Sequence, residues 1–178
     1  PVKVTANDVT KVYDGNPAET NGVSVEGLLG ADTVEYTVAF AVEDITNVQE
    51  TEEAVSASGE ATQGNYTVTY VSGKLTITKA GTLTVEAVDY EGTYDGATHE
   101  GGATPSVTDR TTIQYSVDDG ATWTETVPSI TNVGTVSYKV KATNPNYEDA
   151  TDDGTLKVNP KPVKVTANDV TKVYDGNP

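Results

Sequence analysis

Residues able to do chemistry are unevenly supplied in this 178-residue chain: 27 carboxylates and a single histidine, with no cysteine and no methionine. Without thiols, zinc–thiolate sites, redox motifs, thiol catalysis and disulfides are all excluded. Among so many carboxylates some pair always falls near glycosidase spacing, so spacing alone has no specificity here. His99 has no second histidine to share a metal and no nucleophile elbow to serve, and is expected in a surface loop. The chain is read as a non-enzyme that needs no cofactor.

Three further patterns carry candidate sites. Tyr-Asp-Gly occurs at Tyr13-Asp14-Gly15, Tyr94-Asp95-Gly96 and Tyr174-Asp175-Gly176. Asp-Gly after an apolar strand is a turn signal, because glycine accepts positive φ and aspartate caps its own backbone. The stretch "SVDDGATW" (Ser116–Trp123) fits the S-x-D-x-G-x-T-W pattern of an Asp-box hairpin, with Ser116, Asp118, Gly120, Thr122 and Trp123 at the defining places. In it Asp118 is expected to bond the turn amides and Trp123 to be buried beneath the turn. The pattern resembles that of sialidases, where the hairpin lies far from catalysis. A sialidase grips its carboxylate substrate with several arginines, and Arg110 is the lone arginine. The "DDG" runs supply the candidates for a calcium site: Asp118, Asp119, Asp152 and Asp153. "NYT" at Asn65–Thr67 has the form of a glycosylation sequon, but its twin "NYE" at Asn146–Glu148 lacks the hydroxyl. A shared structural role at a strand start accounts for both.

The net charge of −16 repels nucleic acid and anionic lipid, which need clustered Lys and Arg. No apolar run approaches the roughly 20 residues that span a bilayer, and no signal-peptide pattern is present. No nucleic-acid partner and no membrane insertion are expected. If exported, the stretch is an internal part of a longer protein.

The elements that must position these motifs come in repeats. The seventeen letters of Pro1–Pro17 return unchanged as Pro162–Pro178. Midway, "KVYDGNPAE" (Lys11–Glu19) is answered by "GTYDGATHE" (Gly92–Glu100), and "GNYTVTYVSGKLTITK" (Gly64–Lys79) by "PNYEDATDDGTLKVNP" (Pro145–Pro160). "ITNV" recurs at Ile45–Val48 and Ile130–Val133, slightly out of step, which an insertion around Glu50–Glu60 explains. The division is therefore 1–80, 81–161, and 162–178 as the first strand of a following repeat.

Within each unit the period is two. "VKVTA" (Val2–Ala6), "TVTYV" (Thr67–Val71), "GKLTIT" (Gly73–Thr78), "TLTVEAV" (Thr82–Val88) and "VSYKVKA" (Val136–Ala142) alternate apolar with polar residues. "TEEAVSASGEA" (Thr51–Ala61) is read as loop, and the Gly, Asn and Asp clusters, "DDGT" among them, as turns. The predicted fold class is all-β: two tandem small Ig-like or Greek-key domains joined end to end. The alternative, a β-grasp module, requires a helix on the sheet.

"KVYDGNPAE", "VEGLLGADTV", "ITNV", "GNYTV" and "GKLTITKA" together resemble the YDG/MBG-type tandem repeats of bacterial cell-surface adhesin-like proteins. "YDGATHE", "YSVDDGATWTETVPSITNVGTVSYKVKATNPNYED" and "GTLKVNPK" resemble the related repeat of Gram-positive bacteria. The resemblance implies an extracellular, wall-attached stalk of β-domains whose partners are neighbouring repeats of the same chain, with no catalytic residues and no named host ligand. One alternative is a binding module that contacts host glycan or protein. Another is a filament subunit in which Pro162–Pro178 takes the place of Pro1–Pro17 in another copy; pairing of this segment across copies or on the second domain is expected.

Overall fold

The structure, a computed structural model, describes residues 1–174 and 176. Asp175 of the third Tyr-Asp-Gly, and Asn177 and Pro178 of the repeated segment, lie outside the described residues. All regular structure among the described residues is strand. The helix that a β-grasp module requires is absent among them, and none is long and apolar enough to cross a membrane.

The first domain contains β1 (Val2–Ala6), β2 (Val9–Val12), β3 (Val23–Glu26), β4 (Thr37–Phe40), β5 (Gln49–Ser58), β6 (Thr62–Gln63), β7 (Tyr66–Val71) and β8 (Gly73–Thr78). They form two four-stranded layers, β3-β1-β7-β6 and β2-β8-β5-β4. Alternation in β1 turns Val2, Val4 and Ala6 inward, and alternation in β8 does the same for Leu75 and Ile77. With Val55 and Val68 these make one apolar cluster between the layers. The chain crosses from one layer to the other between β1 and β2 and again between β7 and β8, so the first strand pair and the last run side by side. Both pairings, β1 with β7 and β2 with β8, are parallel.

The second domain contains β9 (Val85–Ala87), β10 (Tyr90–Thr93), β11 (His99–Glu100), β12 (Ala103–Pro105), β13 (Thr112–Ser116), β14 (Ser129–Ile130), β15 (Gly134–Asn144) and β16 (Tyr147–Asn159). One layer is β10-β16-β15-β13, and the short pair β12-β9 packs across it. Leu83, Val85, Tyr138, Val140, Leu156 and Val158 build a separate cluster. The two cores run from Val2 to Ile77 and from Leu83 to Val158.

Two expectations are corrected. Thr51–Ala61 is not a loop: most of it is β5, paired with β4 and β8, with Ala54, Val55 and Ala57 inward. Its alternation is hidden by a bulge between Thr51 and Val55, where Glu53 adopts φ 55°. Asp152-Asp153-Gly154 is not a turn but the interior of β16, unbroken opposite Lys139 and Tyr138 of β15. Residues 162–174 form no strand and are exposed. Their twin Val2–Ala6 is a strand because β3 and β7 flank it; on the second domain the equivalent place, beside β12, is filled by β9.

Candidate functional site

The Asp-box hairpin closes on its aspartate. Asp118 accepts from the Ser116 hydroxyl at 2.7 Å, the Thr122 amide at 2.8 Å and the Thr122 hydroxyl at 2.6 Å. The Ser116 and Thr122 bonds hold its carboxyl down to about 2, so it stays ionised in any ordinary buffer. Asp119 (φ 59°) and Gly120 (φ 90°) make the left-handed corner. Trp123 departs from expectation: it is half-buried and lies outside the second domain's core. Along β15, Tyr138, Val140 and Ala142 face inward while Lys139 and Lys141 face out. The Lys141 Nζ sits 4.4 Å from the Trp123 ring centre, so the indole covers the outer face of the sheet. Trp123→Ala should therefore cost the second domain about 1–2 kcal/mol, below the ~3–5 of a fully buried aromatic. Urea unfolding followed by far-ultraviolet circular dichroism checks this.

The calcium candidates are spread over separate bonds. Asp118 is committed to the hairpin, Asp119 and Asp153 flank the Lys139 ammonium at 3.3 and 2.9 Å, and Asp152 accepts from the Ala87 amide at 2.8 Å. No group of three or more His, Asp or Glu able to hold a metal occurs among the described residues. His99 is in β11 and not in a loop. Its ring stacks on Tyr90 with centres 3.8 Å apart and lies 3.1 Å from the Asp95 carboxylate.

The Tyr-Asp-Gly motifs are turns at the far end of each domain. Asp14 accepts the Asn16 amide and Asp95 the Ala97 amide, both at 2.9 Å, with Gly15 at φ 80° and Gly96 at φ 84°. The tyrosine amides bond the end of each last strand, Tyr13 to the Thr78 carbonyl at 2.8 Å and Tyr94 to the Asn159 carbonyl at 2.9 Å. Tyr13 then reaches across the boundary and meets Tyr147 edge to face at 5.4 Å.

That contact belongs to the most elaborate polar site of the chain, the junction between the domains. Asn146, 5% exposed, has all its polar groups bonded. Its amide donates to the Asn144 side chain at 2.9 Å, and its carbonyl accepts from Ala80 at 3.0 Å. Its side chain donates to Asn47 Oδ1 at 2.8 Å and accepts from the Val48 amide at 3.0 Å. Ala80, in the linker, also accepts from Glu148 at 2.8 Å, so the linker is paired like a strand. Arg110 donates to the same Asn47 oxygen at 3.0 Å. Asn47 is held in turn by Asp44, whose carboxyl is kept below its ordinary value chiefly by the Asn47 amide and side chain. Buried Asn144 donates to the Asp109 carbonyl and the Thr111 hydroxyl, fixing the loop that carries Arg110. The sequence reading noted "ITNV" and "NY" as repeats without bringing them together, and it passed over Arg110 as a junction residue.

The two domains are thus bonded to one another through side chains and backbone at their boundary. Residues 2–76 match the family model described as MBG domain (YGX type). The match spans the first domain and less than half of the chain. No sequence match is found among curated proteins. Among solved structures the chain is similar to the I-band fragment I67-I69 from titin, at 12% identity and a TM-score of 0.35. That match covers 88% of this chain and 64% of the titin chain, so this chain spans less than two thirds of the titin fragment. It is also similar to the tandem Ig repeats of Dlar, at 14% identity and a TM-score of 0.33, over 90% of this chain and 99% of that one. The family match ends within β8, two residues before the strand does.

Proposed function

We propose that the chain is a structural stalk repeat of an extracellular bacterial surface adhesin or fibrillar protein, without catalytic activity, attached to the cell wall through other parts of its parent. The observation that supports this reading is the junction: a linker whose Ala80 bonds Asn146 and Glu148 through its amide and carbonyl, and a buried asparagine bonded across the boundary. A flexible tether needs none of these bonds, whereas a spacer that must hold its direction does. Asn146→Ala removes two of the bonds and leaves the Val48 amide and Asn47 oxygen without that partner. In the parent chain the two domains should tumble as one elongated body by nitrogen-15 relaxation. In the variant they should reorient separately, each still folded. Unchanged relaxation in the variant would remove the support for a stiff spacer.

The rival is a module that itself contacts host glycan or protein. In its favour is an open cleft of about 410 Å³ beside the Asp-box, with Val117, Tyr138, Lys139 and Asp153 in its walls. Its one cation is already held between Asp119 and Asp153, and Trp123 is covered by Lys141. Binding in a screen of glycans and mucin that is lost on Lys139→Ala would favour this rival.

A further inference from the structure

We infer that the far end of the second domain, Tyr94 with Asn132 and Val133, is a docking face whose occupant is the near end of another first-type domain, a second copy of Leu29, Asn65 and Tyr66 of this chain. The inference rests on the junction geometry and not on the stalk reading.

The strand pairings of the two domains match at the places that build the junction. Gln49 of β5 pairs with Ile77, and Gly134 of β15 pairs with Val158 in the same way. The Ala18 amide bonds the Ile45 carbonyl, and His99 pairs with Ile130. Asn47 and Val48 thus correspond to Asn132 and Val133, and Tyr13 to Tyr94. At the other end Asn146-Tyr147 corresponds to Asn65-Tyr66. In the formed junction Tyr13 and Val48 are half-buried; their counterparts Tyr94 and Val133 are 38% and 51% exposed, and Asn65 is exposed as well. Each domain therefore has both halves of the clamp, and one half of each is unused. The chain leading from the second domain's far end carries the first domain's own opening residues, Pro162–Pro178.

The differences between the two ends select the partner. The formed junction places Asp44 near Arg110. At the second domain's far end the position of Asp44 is Ser129. The near-end turns close alike, Thr111 on Thr108 and Asp32 on Leu29. In the first domain the position of Arg110 is therefore Ala31, in a turn that opens on Leu29, which is 74% exposed. An arginine-bearing near end would meet no carboxylate at Ser129, whereas Leu29 meets Val133 and Tyr94. Charge fits charge at one junction and apolar fits apolar at the other, so the order alternates. In the docked arrangement the Val133 amide donates to the copy's Asn65 Oδ1, Asn65 Nδ2 donates to Asn132 Oδ1, and Tyr94 meets the copy's Tyr66.

The test lengthens the chain by placing residues 18–80 after Pro178, so that the repeated segment runs on into a complete first domain. Amide hydrogen exchange at Val133 should slow about tenfold relative to the 178-residue chain, the loss of one protecting hydrogen bond restoring it. Asn65→Ala in the appended domain alone should abolish the slowing and leave Val48 unchanged. In the 178-residue chain itself, raised to about 1 mM to match the concentration a short tether supplies, amide shifts should move together at Val133 and Asn65. Equal Val133 exchange in both chains with no shift changes overturns the inference, as does slowing that survives Asn65→Ala. So does a rise in mass by light scattering that traces to exchange of Pro162–Pro178 for Pro1–Pro17 while Val133 stays unprotected.

Discussion

Leu156→Ala should destabilise the second domain by about 3–4 kcal/mol and leave the first domain's unfolding where it stands. Leu156 has no exposed surface and sits at the centre of the second core, opposite Val136 and beside Tyr90. Deleting its side chain removes the transfer energy of the buried atoms and leaves a cavity the rigid β15–β16 pair closes only in part. Trp123, the chain's only tryptophan, lies in this domain, so its fluorescence reports the second transition alone. The mirror variant Leu75→Ala, equally buried in the first core, should leave the tryptophan transition nearly unmoved. Loss of both domains together in either variant would contradict two separate cores.

Gly154→Ala should cost about 3 kcal/mol or more, although it adds a single methyl in a strand of ordinary backbone geometry. A Cβ at Gly154 would overlap the Tyr138 ring, and one at Gly101 would come within 2.8 Å of the same hydroxyl. The ring passes between two glycines and donates its hydroxyl to the Val88 carbonyl at 2.6 Å. Displacing it breaks that bond and opens the core around a side chain that is 3% exposed. Calorimetry of Gly154→Ala, Tyr138→Leu and the double variant gives the check. The double should be much less destabilised than the sum, because the smaller side chain makes room for the methyl. Additive costs would show that the ring is not what excludes a side chain there.

This glycine also shows where sequence reading stopped. Next to two aspartates it has the look of a turn, yet it is there because an aromatic from the neighbouring strand lies over it, a fact no local pattern encodes. Likewise the alternation of Gln49–Ser58 is intact on either side of Glu53 and loses phase across the bulge, so period-two reading missed β5. Where alternation runs unbroken, as in Val2–Ala6 and Gly73–Thr78, the strands were legible. The Asp-Gly turns were legible too, since their chemistry is local. The junction was not. Asn47 and Asn146 meet because one domain's end is apposed to the next one's beginning, and that apposition depends on two complete folds. Trp123 was expected to be buried and is half-buried for a related reason: the motif specifies its turn, but the lysines of β15 line the outer face of the sheet that the indole covers.

The parallel pairing of entering and leaving strands has a mechanical meaning. In the first domain β1 runs beside β7 and β2 beside β8, four residue pairs in each; in the second β10 runs beside β16, again over four. A pull on the two ends of either domain draws these partners past one another along their length. The ladder bonds are then loaded in shear and must give way together, instead of being peeled open one after another as in a hairpin pulled at its open end. Tension transmitted along such a chain meets its stiffest element at the place where force enters and leaves each domain.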